Sequence, residues 1–199
     1  MRLGDLISHT RRIRWGLLVT SLIVGLIGFS ISAAIITMMK GQSLGDLTGP
    51  VLMALALIVL LVPLQASAEE VVFRGFALQT VLGKIGWSTS RFWIVAFLFS
   101  AGFAAAHATS DVATGVSYLL FALLFAWLAW RFAGIEAAIG VHVANNVVSL
   151  AVGVLREDDL IGGQSDVAAG MQELAAQLAL AALVCLVVVV ISRRGRAAA

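Results

Sequence analysis

The sequence predicts an all-α, polytopic transmembrane bundle of about six spans, and three observations carry that prediction. Of the 199 residues, 61% are hydrophobic and only 12% are charged, whereas about a quarter of the residues in soluble domains are charged. The mean hydropathy is +1.03. Apolar runs of the ~17–25 residues needed to cross a ~30 Å hydrocarbon core recur along the whole chain.

The first span is expected at 15–39, behind Arg11, Arg12 and Arg14. It exceeds the roughly 7–15-residue core of a secretory signal and is needed for the alternation of sides, so it reads as a membrane span. Residues 1–14 read as a short basic amphipathic segment at the membrane surface. The second run, 50–82, is too long for one straight crossing at about 1.5 Å per residue. Pro63 lies inside it, where a missing N–H and a ring clash predict a bend, followed by a helix carrying Glu69 to Arg74. Further spans are expected at 92–108, 114–133, 136–155 and 173–191. Asp111 is expected to cap the fourth span and Glu136 the fifth. The stretch 156–172, with Gly162, Gly163 and Gly170, reads as a flexible external connection. With no internal repeat and no soluble domain, the chain is read as a single membrane domain, 1–199, with a motif-bearing core at 50–155.

Charge sets the expected orientation. Arg2, Arg11, Arg12, Arg14, Lys84, Arg91, Arg131, Arg193, Arg194 and Arg196 all fall at span ends on one side. The other side receives Lys40 and Arg156 together with Asp46, Asp111 and an acidic loop. By the positive-inside rule both termini are expected in the cytoplasm. Trp15, Trp87, Trp93, Trp127 and Trp130 gather at the same ends, at headgroup level. Alanine- and glycine-rich spans with short loops suggest a bacterial inner (plasma) membrane. The net charge of +2 comes from bases at segment ends without a continuous stripe, so no nucleic-acid partner is expected. The lone Cys185 excludes an intramolecular disulfide and a cysteine-cluster zinc site, and its Val/Leu surroundings make it inert packing. His9 is given no role.

Ionisable groups at membrane depth are costly, about 2.5–3.5 kcal/mol each on insertion scales, and default to function. Here they are Glu69, Glu70, Arg74, His107 and His142, accompanied by Asn146. Glu70 and Arg74 are one helical turn apart and can pair, as a structural ion pair or in direct support of chemistry. Glu69, rotated about 100° away, is left to face a cavity. Phe103 and His107 share a face at a spacing of four, as do His142 and Asn146. Phe103 is expected to pack the pocket wall, and Asn145 leaves the four-residue register. Hydrolysis of a peptide bond needs an activated water, a proton shuttle and stabilisation of an oxyanion, and Glu, His and Asn supply these. Glu69, His107 and His142 are also candidate zinc ligands, though no H-E-x-x-H occurs and spacing alone establishes no metal. Depth arithmetic leaves a tension. At about 1.5 Å per residue His107 lies some 24 Å in from Arg91, but His142 only about 9 Å in from Glu136. A wet cavity opening from the cytoplasmic side would relieve part of it.

The set E-E-x-x-x-R (Glu69, Glu70, Arg74), F-x-x-x-H (Phe103, His107) and H-x-x-x-N (His142, Asn146), in this order, resembles the CAAX-protease and bacteriocin-processing (CPBP, or Abi) family of intramembrane endopeptidases. The similarity covers roughly residues 50–155. It implies that Glu69 activates the attacking water with His107 helping to position it. His142 and Asn146 are then implied as water or metal positioners and oxyanion stabilisers, with Glu70 and Arg74 as the supporting pair. The family has been described both as metal-type and as glutamate-type, so the cofactor stays open, with zinc the candidate. The expected partners are the lipid bilayer and a membrane-associated or amphipathic peptide substrate. The competing readings are a proton- or ion-coupled transporter, disfavoured by the missing inverted repeat, and a catalytically silent immunity or binding scaffold.

Overall fold

A computed structural model describes residues 6–8, 12–109, 111–156 and 167–197, with backbone alone at 167–174 and 193–197. Among these the chain is helical: α1 (Trp15–Met39), α2 (Gly49–Glu70), a π-helical segment (Val71–Ala77), α3 (Leu78–Ile85), α4 (Thr89–Ala106), α5 (Val112–Phe132), α6 (Glu136–Leu155) and α7 (Val167–Ala197). A single antiparallel bridge joins Ser8 to Gly134. Six helices are long and apolar enough to cross a membrane, with α2, the π segment and α3 forming one continuous run from Gly49 to Ile85. The protein is a multi-pass membrane protein. Of the residues read above for charge and orientation, Arg2, Arg11, His9 and positions 157–166 lie outside the described residues, as do the side chains of Arg193, Arg194 and Arg196.

The second run departs from expectation in where it is irregular. α2 passes through Pro63 without ending. The departure from α-helical hydrogen bonding comes later, at Val71–Ala77, where each turn takes in an extra residue. Gly75 lies there because the amino-terminal segment crosses it: a Cβ at that position would stand 2.8 Å from the carbonyl oxygen of Leu6.

α6 is the axis of the bundle, with every residue from Gly134 to Ala144 buried. Such burial needs small residues where backbones approach, since lipid tails supply no hydrophobic drive between helices. α1 runs parallel to α6 through this contact. A Cβ on Gly140 would lie 2.7 Å from Leu18 O and 2.8 Å from Leu22 N, and one on Gly25 would lie 2.6 Å from the Cβ of Ala144. α2 flanks α6, α5 packs on α4, α6 and α7, and α7 closes against α1. Cys185 is fully buried in the resulting core, as the packing reading expects.

Glu136 corrects the sequence reading. The residue preceding α6 is Ile135, and no side chain caps the helix. Glu136 instead takes a two-pronged ion pair from Arg14, Nε to Oε1 at 2.9 Å and Nη2 to Oε2 at 2.6 Å, while Arg14 Nη1 donates to Phe132 O at 2.8 Å. The planar guanidinium fork matches a carboxylate, which makes arginine the fitting partner for a carboxylate without exposed surface. Ile135 N donates to Ile7 O at 2.9 Å above it. The start of α6 is therefore interior to the protein, and Glu136 is not a surface marker from which the depth of His142 can be counted. Asp111 caps α5 as expected, its Oδ2 accepting from the backbone N–H of Thr114 at 2.8 Å.

Candidate active site

Glu70, the last residue of α2, has no exposed surface. A carboxylate at this depth requires compensation, and it has two partners on Oε1: Arg74 Nη1 at 3.0 Å and His142 Nδ1 at 2.8 Å. Arg74 is held in turn by α5 and by aromatic faces. Its Nη2 donates to Ala122 O at 2.8 Å, and its guanidinium carbon lies 5.3 Å from the centre of the Phe103 ring. The predicted one-turn pair is thus present, and it extends through His142 to a third helix.

Because Glu70 accepts, His142 carries its proton on Nδ1, and in the neutral ring Nε2 offers a lone pair. Asn146, one turn further along α6, donates its Nδ2–H to that Nε2 at 3.2 Å, and Asn145 donates to Asn146 Oδ1 at 3.1 Å. The His142 ring is stacked on Phe125 at 4.5 Å with an interplanar angle of 21°, and meets the edge of Phe103 at 6.2 Å. Glu69 Oε2 stands 3.6 Å from His142 Nε2, and the Glu69 side chain keeps 22% of its surface. That separation exceeds a direct hydrogen bond. Gln65, one turn earlier, donates to Glu69 Oε1. Among the described residues, Glu69 Oε2 and Glu70 Oε2 have no hydrogen-bond partner.

His107 stands at the edge of this group. It is the residue after α4, exposed, with its Nδ1–H donated to Phe103 O at 2.8 Å, so Nε2 is its available nitrogen. Its ring lies 4.4 Å from Phe103 and 4.3 Å from Tyr118. Phe103, expected in the pocket wall, is the ring between the two histidines and is 4% exposed. The structure therefore joins Glu69, Glu70, Arg74, His142 and Asn146 directly and sets His107 one aromatic ring away. Asp111 makes its bonds to Thr109 and Thr114 on the α5 side.

Zinc does not fit these donors as they stand. Among the described residues no three His, Cys, Asp or Glu side chains are placed to hold one ion, and the Glu69–His142 pair supplies two. A cavity of ≈400 Å³ reaches Arg74 from the end of the bundle that carries Trp87, Trp130 and Gly134, but its walls include none of Glu69, His107, His142 or Asn146.

Four contributors were not read from the sequence. Gln65 had a signal, its spacing of four from Glu69. Tyr118, Ala122 and Phe125 form one face of α5 at i, i+4 and i+7, and Tyr118 is the sole tyrosine. That face is indistinguishable by period from ordinary packing, so only its neighbours reveal it. Asn145, set aside on register, reaches the site through Asn146.

Comparison with known proteins bears on this arrangement. The family described as type II CAAX prenyl endopeptidase Rce1-like matches residues 49–148, half of the chain and all of the polar residues just described. The uncharacterized protein YyaK of Bacillus subtilis (strain 168) is 30% identical over 115 residues, covering 55% of this chain and 37% of that protein. The chain thus matches little more than a third of that relative's length. No solved structure matches.

Proposed function

We propose that this chain, which belongs to the Rce1-like family of type II CAAX prenyl endopeptidases, hydrolyses a peptide bond in a membrane-associated or amphipathic peptide, with Glu69 activating the water. The observation that carries the assignment is the 3.6 Å gap between Glu69 Oε2 and His142 Nε2. A water that donates a hydrogen to the Glu69 carboxylate turns its lone pair toward the scissile carbonyl carbon, while His142 Nε2, whose lone pair takes the Asn146 amide hydrogen, holds Asn146 in place beside it. Glu69 takes a proton as the carbon–oxygen bond forms. The second Nδ2 hydrogen of Asn146 stabilises the oxyanion, and His107 Nε2 steadies water and substrate from the α4 side. Collapse breaks the carbon–nitrogen bond, and Glu69 returns its proton to the leaving amine. Glu70 and Arg74 act on His142, fixing its tautomer and the direction of Nε2. The gap between α2 and α4, where Glu69 and His107 keep exposed surface, is the substrate side. The bacterial relative supports a bacterial plasma membrane as the location.

The test uses purified protein with tailed peptides, prenylated and unprenylated. Glu69→Gln and His107→Ala are expected to lose roughly 10²–10⁴ in kcat, the scale of general acid–base catalysis. Undiminished cleavage by Glu69→Gln would end the assignment. Activity is expected to withstand a chelator; its loss, with restoration by zinc, would transfer the role of Glu69 to metal ligation.

A further inference from the structure

Resting on the proteolytic reading, we infer that Tyr118 is a positioning residue for His107: its ring ties the imidazole to α5 and so fixes where Nε2 points. His107 is poorly placed to hold itself still. It is the exposed residue that follows α4, and the chain turns away at once, at Ala108 with φ +46°, so α4 offers no further turn to pack on the ring. Two of its restraints are local: Nδ1–H is donated to Phe103 O at 2.8 Å, and the Phe103 ring lies 4.4 Å away. Phe103 is one turn back on the same helix and moves with it. The Tyr118 ring, 4.3 Å away at an interplanar angle of 34°, belongs to a different helix. A ring contact of that closeness restricts rocking about the Nδ1–H···O bond, which by itself leaves Nε2 free to swing.

The same stripe of α5 holds other members of the site. Ala122 O accepts from Arg74 Nη2 at 2.8 Å, and Phe125 is stacked on His142 at 4.5 Å. With Tyr118 they stand at i, i+4 and i+7 on one helical face. The rings of Phe125, His142, Phe103, His107 and Tyr118 follow one another at 4.5, 6.2, 4.4 and 4.3 Å. Both ends of that series rest on α5, roughly 10.5 Å apart along its axis, so two turns of one helix set the distance between the histidines. A displacement of about 1 Å can cost a hundredfold in rate, and groups carried on helices keep their place better than groups on loops. His107, at a helix end, takes its placement from α5. The two ends of the series differ in exposure: Phe125 is 1% exposed, whereas Tyr118 is half-buried beside the exposed His107. Tyrosine suits the wet end because its body packs while its hydroxyl stays hydrated, so the ring, and not the hydroxyl, positions His107.

Histidine ring resonances of the full chain in detergent read this placement without catalysis, with His107 assigned by its loss in His107→Ala. Tyr118→Leu is expected to move the His107 ring protons downfield, toward a free imidazole, as the ring current of Tyr118 is removed; Tyr118→Phe leaves them in place. In peptide cleavage Tyr118→Leu is expected to lower kcat about tenfold with KM unchanged, the pattern of a group misplaced in the transition state, and Tyr118→Phe recovers most of the rate. Added to His107→Ala, Tyr118→Leu costs nothing further, because it acts through that ring. A loss of fold would lower the rate equally in both backgrounds, so the cycle separates positioning from stability. Unmoved His107 resonances, additive losses or no recovery by phenylalanine would overturn the inference. If the wild type cleaves no peptide, the proteolytic reading falls and takes this one with it; if it cleaves and the losses add, only the role of Tyr118 falls.

Discussion

Glu69 and Glu70 are adjacent in the chain and about 100° apart around the helix, and that rotation separates their environments. Glu70 has no exposed surface and ties Arg74 to His142, whereas Glu69 keeps 22% and stands 3.6 Å from His142 Nε2. Substitution should separate them. Glu69→Gln is expected to remove activity while the thermal midpoint in detergent stays near wild type, because the amide still fits beside Gln65. Glu70→Ala leaves Arg74 buried without its carboxylate, which costs about 3–5 kcal/mol, so both thermal midpoint and kcat fall. Equal stability of the two variants would refute this division. The Glu70–Arg74 pair was legible because both residues lie on one turn. Its closure onto His142 spans 72 positions, and no local period reports a partner so distant.

Among the elements, α1 and α6 carry the closest approach. Gly140 meets backbone atoms of Leu18 and Leu22, which have no rotamer to yield. Gly140→Val is expected to cost about 1–3 kcal/mol through overpacking, measured by denaturation in mixed micelles, while Gly102→Val, where an added Cβ meets nothing within 4 Å, should be tolerated. At the start of α5 the hydrogen bonds from Thr114, side chain first and backbone second, hold the Asp111 carboxyl below its ordinary value of 3.8. A carboxyl with a lowered folded pKa stabilises fully above its unfolded pKa and loses that contribution as pH falls through the folded one. Helix α5 should therefore show acid sensitivity below about pH 4 that Asp111→Asn lacks, as followed by amide exchange at residues 112–116. The lengths of the spans were readable to within a few residues, because apolar runs mark them. The place of the irregularity in the second was not: Pro63 was the visible breaker, yet the helix continues through it, and the π segment forms where another part of the chain lies against Gly75.

At the scale of the molecule, we propose that the six helices long and apolar enough to cross a membrane do so in alternation, which would put Met1 and Arg196 on the same side, and the distribution of arginine predicts that side to be cytoplasmic. Reporter fusions at Met1 and after Arg196 should both show cytoplasmic activity; opposite readings would remove one crossing. Arg14 joins the start of α1 to the start of α6, so Arg14→Ala, which strands Glu136 without exposed surface, is expected to loosen the whole bundle and not one helix end. Composition and hydrophobic run length determined on their own that this chain is a helical membrane protein, and three local spacings supplied the residues of the proposed hydrolytic site. These properties are legible because lipid selects apolar length residue by residue and a helix turn places i and i+4 together wherever it sits. Tertiary structure alone decided that Glu136 is interior, that His142 closes on Glu70, that His107 stands beyond Phe103 and that Asn145 reaches the site through Asn146. Each of these depends on which helices become neighbours, and in a bilayer, where every helix is apolar on all sides, close packing and buried polar pairs make that choice.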